Sequence, residues 1–156
     1  MNITPKEFKE KLLNNEHLPS GLVVNGHMDL RKCTSPISLP DGLVVEGRMD
    51  LYRCTSLTHL PSGLVVKGVL GLDRCTSLVT LNEDLVVGGC LGLCMCTSLA
   101  HLPSGLVIGG SLDIRGCTSL TDLPADLVVN DWLDVKGCTS LTCLPAGLTV
   151  KGVIFL

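Results

Sequence analysis

Apolar and polar residues alternate over short stretches of the chain. Around the first clear example, Leu22, Val24, Met28 and Leu30 fall on alternate positions. A period of two is typical of a strand with one buried face. Gly26 falls on the same parity, so its column predicts either a corner that needs a positive φ or a close approach of a neighbouring backbone.

The same pattern returns every 21 residues. Its markers are the tripeptide Cys-Thr-Ser and the segment Leu-Pro-x-Gly-Leu-Val-Val or a close variant. The first begins at Cys33, Cys54, Cys75, Cys96, Cys117 and Cys138, and the second at Leu18, Leu39, Leu60, Leu81, Leu102, Leu123 and Leu144. Each strand then precedes an equivalent strand of the same direction, which predicts a parallel solenoid with columns of like side chains ~4.8 Å apart.

The repeat divides the chain into a cap and a solenoid that form one domain. The solenoid covers 18–156, with coils at 18–38, 39–59, 60–80, 81–101, 102–122 and 123–143 and a partial coil at 144–156. Residues 1–17 precede it.

The segment 1–17 carries the signals of a short capping helix. Thr4 and Glu7 have the spacing of a capping box, in which each side chain bonds the backbone N–H of the other residue. Phe8 and Leu12 share one face of the predicted helix 5–14. We expect this apolar face to close the first coil.

Composition narrows the classes of function. The chain is 46% hydrophobic but only 3% aromatic, so its core is expected to be aliphatic. The net charge is −3 and the longest basic run is Arg31-Lys32, which argues against a nucleic-acid partner. No stretch has the length and apolarity of a membrane span, and the first residues lack the pattern of an export signal.

The nine cysteines would suggest disulfides in a secreted protein. Six of them recur at the fixed spacing, however, which indicates a column of buried, reduced thiols. We therefore expect a reducing compartment, the cytoplasm of the source cell or of a host cell.

With these columns set out, the stretch L-D-L-x-x-C-x-x-L-T-x-L-P resembles the leucine-rich-repeat family. Leu51, Cys54 and Leu57 fit the conserved family segment, whereas its leading leucine falls on Glu46 and is replaced by Val45, one residue earlier. The Leu-Thr-x-Leu-Pro step is similar to short-repeat bacterial effector proteins. The resemblance covers 18–156 and implies a right-handed solenoid with one parallel sheet, and binding in place of catalysis.

Function is expected in outward positions that vary between coils. Three such columns flank the predicted strands, and they would form one strip of surface. The expected contacts to a protein partner are charged or aromatic residues in the outer coils and small ones in the centre, where a shallow apolar depression is predicted. These candidates are His27, Arg48, Tyr52, Asp73, Cys90, Cys94, Arg115 and Trp132.

The strip offers no obvious catalytic, metal or cofactor site. Cys90 and Cys94 would lie ~13 Å apart on one strand, too far for a shared metal or a bridge. His59 and His101 fall in one column, ~10 Å apart and two coils from each other. Aspartates on adjacent strands, such as Asp29 and Asp50, could form carboxylate pairs or a weak calcium site, but nearby arginines are a sufficient structural reason for them.

A second class of function is a structural or ice-binding solenoid. Threonines recur at 34, 55, 76, 97, 118 and 139, each followed by serine. Regular hydroxyl rows resemble ice-binding surfaces, although successive residues must point in different directions. Thr and Ser after a strand also satisfy local backbone groups in turns.

The last coil predicts a site of self-association. Ile154 and Leu156 fall in inward columns, and Phe155 stands where other coils carry Asp or Gly. No charge or proline protects this edge, so we expect a homodimer through Ile154, Phe155 and Leu156, unless the chain is a fragment of a longer natural array.

Overall fold

The computed structural model describes all 156 residues as a β-solenoid of about seven turns with one short helix. Two all-parallel sheets run along it. The first sheet contains β1 (Asn2–Ile3), β2 (Val23–Val24), β4 (Val44–Val45), β6 (Val65–Val66), β8 (Val86–Val87), β10 (Val107–Ile108), β12 (Val128–Val129) and β14 (Thr149–Val150). The second contains β3 (Met28–Asp29), β5 (Met49–Asp50), β7 (Leu70–Gly71), β9 (Leu91–Gly92), β11 (Leu112–Asp113), β13 (Leu133–Asp134) and β15 (Ile154–Phe155).

The register confirms the 21-residue period, because every strand pairs with the equivalent residues of the next coil. Val23 pairs with Val44, for example, and Met28 pairs with Met49. The expectation of a single sheet is wrong. A corner at 25–27 separates the two strands of the first coil, so each coil contributes one strand to each sheet.

The glycine column makes this corner, and both predicted reasons for it apply. Gly26 has a φ of +124°, which L side chains rarely adopt. In the next coil, a Cβ added to Gly47 would lie 2.8 Å from the carbonyl oxygen of Gly26. A Cβ added to Gly68 would lie 2.8 Å from the carbonyl oxygen of Gly47. Any larger residue would push the stacked corners apart.

The cap helix α1 covers Pro5–Leu13, one residue shorter than predicted. Thr4 and Glu7 form the capping box, since each side chain accepts a hydrogen bond from the backbone N–H of the other residue. Phe8 and Leu12 are buried against the first coil. No helix is long and apolar enough to cross a membrane.

One continuous core of 40 buried apolar residues runs from the cap helix through the coils. Leu22, Val24, Met28 and Leu30 are all buried, as their alternation predicted. Because the columns stack, most of the apolar surface of one coil is covered by the coils on either side.

The cysteine column adds hydrogen bonds to this core. Five of the six thiols are buried, and each donates to a backbone carbonyl of the preceding coil, as Cys54 does to Leu30 and Cys75 to Leu51 at 3.1 Å. All nine cysteines are free. The prediction that the whole column is buried is wrong for Cys33, which is only half-buried because the first coil is irregular.

Proline explains this irregularity. In the second coil the N–H of Leu57 donates to the carbonyl of Cys54 at 3.1 Å and closes a turn, and later coils repeat the bond. The first coil has Pro36 at the equivalent position, and proline has no N–H to donate. A groove of about 900 Å³ opens beside it, between Leu12, Leu18 and Leu60.

Candidate functional site

The outward residues of the second sheet form a continuous surface, which we call the outer strip. In each coil it contains three outward side chains: the residue before the strand, the second residue of the strand and the second residue after the strand. The strip runs from His27 in the first coil to Lys136 in the sixth. Six strands ~4.8 Å apart give it a length of ~24 Å, and five residues across give it a width of ~13 Å.

Ion pairs order the N-terminal part of the outer strip. Arg31 binds the Asp29 carboxylate through two nitrogens, at 2.9 and 2.7 Å. Arg48 binds Asp50 at 2.7 Å, and Arg31 lies 3.9 Å from the same carboxylate. The arginines therefore neutralise carboxylates on adjacent strands, as the sequence predicted. The guanidinium of Arg31 holds the pKa of Asp29 down at about 2.

His27 and Tyr52 lie beside these pairs. The ring Nδ1 of His27 accepts the backbone N–H of Arg48 at 2.8 Å, so this side chain joins two coils. Tyr52 is half-buried, and the guanidinium of Arg53 lies 5.3 Å from its ring centre. At this distance the cation is attracted to the face of the ring.

The C-terminal part repeats the arrangement. Arg115 binds both oxygens of Asp113, at 2.9 and 2.6 Å, and lies 3.8 Å from Asp134. Trp132 is half-buried and meets Phe155 edge to face, with ring centres 6.2 Å apart. Tyr52 and Trp132 belong to coils ~19 Å apart, so the two aromatic residues mark opposite ends and do not touch.

The centre of the outer strip differs from the apolar depression that the sequence predicted. Gly71 and Gly92 replace the aspartates there, and the Asp73 carboxylate extends over Gly92, where a Cβ would lie 2.9 Å from its oxygen. One oxygen of Asp73 accepts the N–H of Cys94 at 2.9 Å. No arginine or lysine pairs with Asp73, and desolvation, followed by repulsion from Asp113, raises the pKa of its carboxyl.

The two cysteines of the outer strip carry no sign of activation. Cys90 is half-buried, and its sulfur accepts the N–H of Ser111 at 3.4 Å. Partial burial and the charge of Asp113 raise the pKa of the Cys94 thiol, which lowers its thiolate fraction. No group of three His, Cys, Asp or Glu side chains is placed to hold a metal ion.

The two histidines of the neighbouring face keep the predicted column. Thr80 and His101 pair in parallel across adjacent coils, with His59 one coil before them. His101 lies 3.6 Å from the Asp122 carboxylate, and His59 lies 2.9 Å from the hydroxyl of Thr58. Each ring thus has its own local partner.

The last coil exposes apolar side chains. Ile154 and Phe155 are 38% and 39% exposed and Leu156 is 79% exposed, although Leu133 and Val135, the equivalents of Ile154 and Leu156 in the preceding coil, are buried. Beside them lies a cavity of about 350 Å³ lined by Val135, Leu141 and Leu156. Lys136 places its ammonium 5.0 Å from the ring centre of Phe155.

Comparison with known proteins adds no relative, because no family model, curated protein or solved structure matches this chain. The likeness to leucine-rich repeats therefore rests on the period of about 21 residues and on the solenoid of parallel strands.

Proposed function

We propose that this protein is a non-enzymatic binding module that holds a protein partner on the outer strip. One observation carries the proposal: the charged side chains of the strip are held in place by one another, while Tyr52 and Trp132 stay partly exposed. Arg31 and Arg115 each make two hydrogen bonds to an aspartate two residues away. Side chains ordered before binding lose less conformational entropy when the partner arrives.

The size of the outer strip limits the shape of its partner. A surface of ~24 by ~13 Å is less than half of the ~800 Å² that each side of a standard protein interface buries. An α-helix is 10–12 Å in diameter, so one helix or one extended segment matches the width of the strip. The partner segment is therefore expected to be slender and to lie across several coils.

The finer assignments belong to the same proposal. The sequence resemblance and the unpaired cysteines support three of them. These are kinship with leucine-rich-repeat proteins, a bacterial source with an effector role, and a location in the cytoplasm of the source cell or of a host cell. The absence of nucleic acid from the partners follows from the net charge of −3.

A display experiment tests the binding function. Random peptides would be selected on the wild-type protein, and the dissociation constants of the winners would be measured on Tyr52→Ala and Trp132→Ala. Loss of either aromatic residue is expected to weaken binding by about 1 to 4 kcal/mol. Val107→Ser, on the exposed face of the first sheet, is the matched control and is expected to change nothing.

One outcome of this experiment would contradict the proposal. If the selected peptides bind both aromatic variants as tightly as the wild type, the outer strip is not the site. Circular dichroism of each variant would show that the solenoid is intact in either case.

The ice-binding alternative depends on the threonine column. Its members are largely exposed at the corner after the second sheet, whereas the hydroxyls of Ser56 and Ser140 donate to backbone carbonyls of the preceding coil. One row of hydroxyls on a corner is narrower than a flat, two-row face. Thermal hysteresis of the pure protein would establish this alternative, and its absence would reject it.

A further inference from the structure

Charge is balanced along the outer strip except at its centre. Asp29, Asp50, Asp113 and Asp134 each have an arginine within 4 Å. Asp73 has none, although it lies between the two arginine-paired groups. The strip therefore presents one carboxylate that has no salt-bridge partner within the fold.

The site around Asp73 is formed by the backbone. The Cys94 N–H occupies one carboxylate oxygen, and the second oxygen makes no hydrogen bond. Gly92 provides the space in which the carboxylate lies, since a Cβ there would be 2.9 Å from its oxygen. Asp73 is only partly buried, so a side chain from outside can reach its free oxygen.

From this pattern we propose that the partner segment places a lysine side chain on Asp73. This inference rests on the proposed binding function and names the chemistry at its centre. A lysine ammonium is a compact point charge that suits one free carboxylate oxygen, whereas arginine fits best where both oxygens are available. Tyr52 precedes Asp73 by one coil, ~4.8 Å away, and offers an apolar surface to the methylene stem.

The electrostatic surroundings support the same partner. Partial burial removes water from Asp73, and repulsion from Asp113 and Asp50 outweighs the attraction of Arg115, so the carboxyl has a raised pKa. An incoming ammonium would offset the repulsion and compensate for the lost hydration. A carboxylate-bearing or neutral side chain would relieve neither.

The test uses the peptides selected on the wild-type protein. In each peptide every lysine would be replaced in turn by norleucine, which keeps the stem and removes the charge, and the affinities would be measured on the wild type and on Asp73→Asn. One replacement is expected to weaken binding to the wild type at least about tenfold, since hydrogen bonds to charged groups contribute about that much. The same replacement is expected to change little on Asp73→Asn.

Controls separate this inference from the binding function. Asp126→Asn removes an exposed carboxylate outside the outer strip and is expected to preserve the lysine dependence. Peptides that require Tyr52 or Trp132 but show no lysine dependence, or show it equally on Asp73→Asn, would overturn the lysine contact and leave the binding function standing. If no selected peptide depends on the outer strip, both fail together.

Discussion

At the scale of single residues, the cysteine column separates buried from accessible thiols. Burial raises the pKa of Cys54 to about 11 and of Cys75 and Cys117 to about 12. At pH 8 their thiolate fractions are then ~10⁻³ or lower, and the reagent must also reach them. We expect iodoacetamide to modify exposed Cys143 and half-buried Cys94 well before these three, as measured by peptide mass mapping.

The same mapping can contradict the assignment. Equal rates for Cys54 and Cys94 in the native protein, or disulfides within the column under non-reducing conditions, would show that the column does not face the core. Modification after unfolding in urea is the control, because all nine thiols should then react alike.

Two carboxylates of the outer strip are expected to make opposite contributions to the dependence of stability on pH. The pKa of Asp29 is lowered to about 2, so its stabilising effect is present above its unfolded value of 3.8 and is lost as the pH falls towards 2. The pKa of Asp73 is raised, so its ionised form destabilises the fold at neutral pH, and protonation removes that cost.

The matching variants are Asp29→Asn and Asp73→Asn. At pH 7 we expect the first to lower the melting temperature and the second to raise it. Each change in the free energy of unfolding is expected to be less than about 1 kcal/mol, because both carboxylates are partly exposed. Melting curves from pH 2 to 7 should show both differences shrinking in acid, and a destabilised Asp73→Asn at pH 7 would contradict the desolvation argument.

At the scale of elements, the turn after each strand of the second sheet contains a residue in the left-handed region. Gly116 and Gly137 occupy it in two coils, whereas non-glycine residues adopt it in the other four with φ of 59° to 61°, at Lys32, Arg53, Arg74 and Met95. A side chain in this region costs roughly 1 kcal/mol. In urea unfolding we expect Arg74→Gly to raise the free energy of unfolding by up to about 1 kcal/mol. Part of this gain is offset, because glycine gives the unfolded chain more conformational entropy.

The control for this turn is Arg74→Ala, which removes the guanidinium but keeps the Cβ. If the backbone conformation is the cause, alanine brings no gain. A gain of equal size in both variants would assign the effect to the arginine side chain.

The open first coil allows a second element to be repaired. Pro36→Leu restores an N–H that can donate to the Cys33 carbonyl, and it supplies the leucine that the later coils bury at this position. We expect a net gain of about 1 to 2 kcal/mol, since a turn hydrogen bond and a buried leucine outweigh the lost rigidity of proline. Cys33 should also react more slowly with iodoacetamide.

Pro36→Ala tests the two contributions separately, because it returns the N–H without the leucine side chain. A Pro36→Leu variant that is less stable than the wild type, with Cys33 as reactive as before, would contradict this explanation of the groove.

The elements also show how far the sequence determines the fold. Strict recurrence predicted the coils, the parallel register and the buried columns, because every coil repeats the same local preferences. It did not predict two sheets, since a glycine at 26 preserves the alternation of a strand while it turns a corner. Nor did it predict that Asp73 covers Gly92, because that contact joins unequal positions of adjacent coils.

At the scale of the whole molecule, the solenoid leaves one edge apolar. The outer side of β15 has no strand beside it, and Ile154, Phe155 and Leu156 are all more than a third exposed. In folded proteins such an edge is usually covered or protected by charge. We propose that two copies of this polypeptide associate through their last coils, about a two-fold axis that pairs the edge strands antiparallel.

Light scattering over a range of concentrations measures this association. A variant with Ile154→Lys and Phe155→Lys places like charges across the two-fold axis and is expected to be monomeric at every concentration at which the wild type is dimeric. Val86→Lys with Val107→Lys is the matched control, because these valines are 51% and 52% exposed on the first sheet and lie outside the last coil. The control should stay dimeric. A wild-type polypeptide that is monomeric at high concentration would refute the dimer, and a control that dissociates as the edge variant does would move the interface to the first sheet.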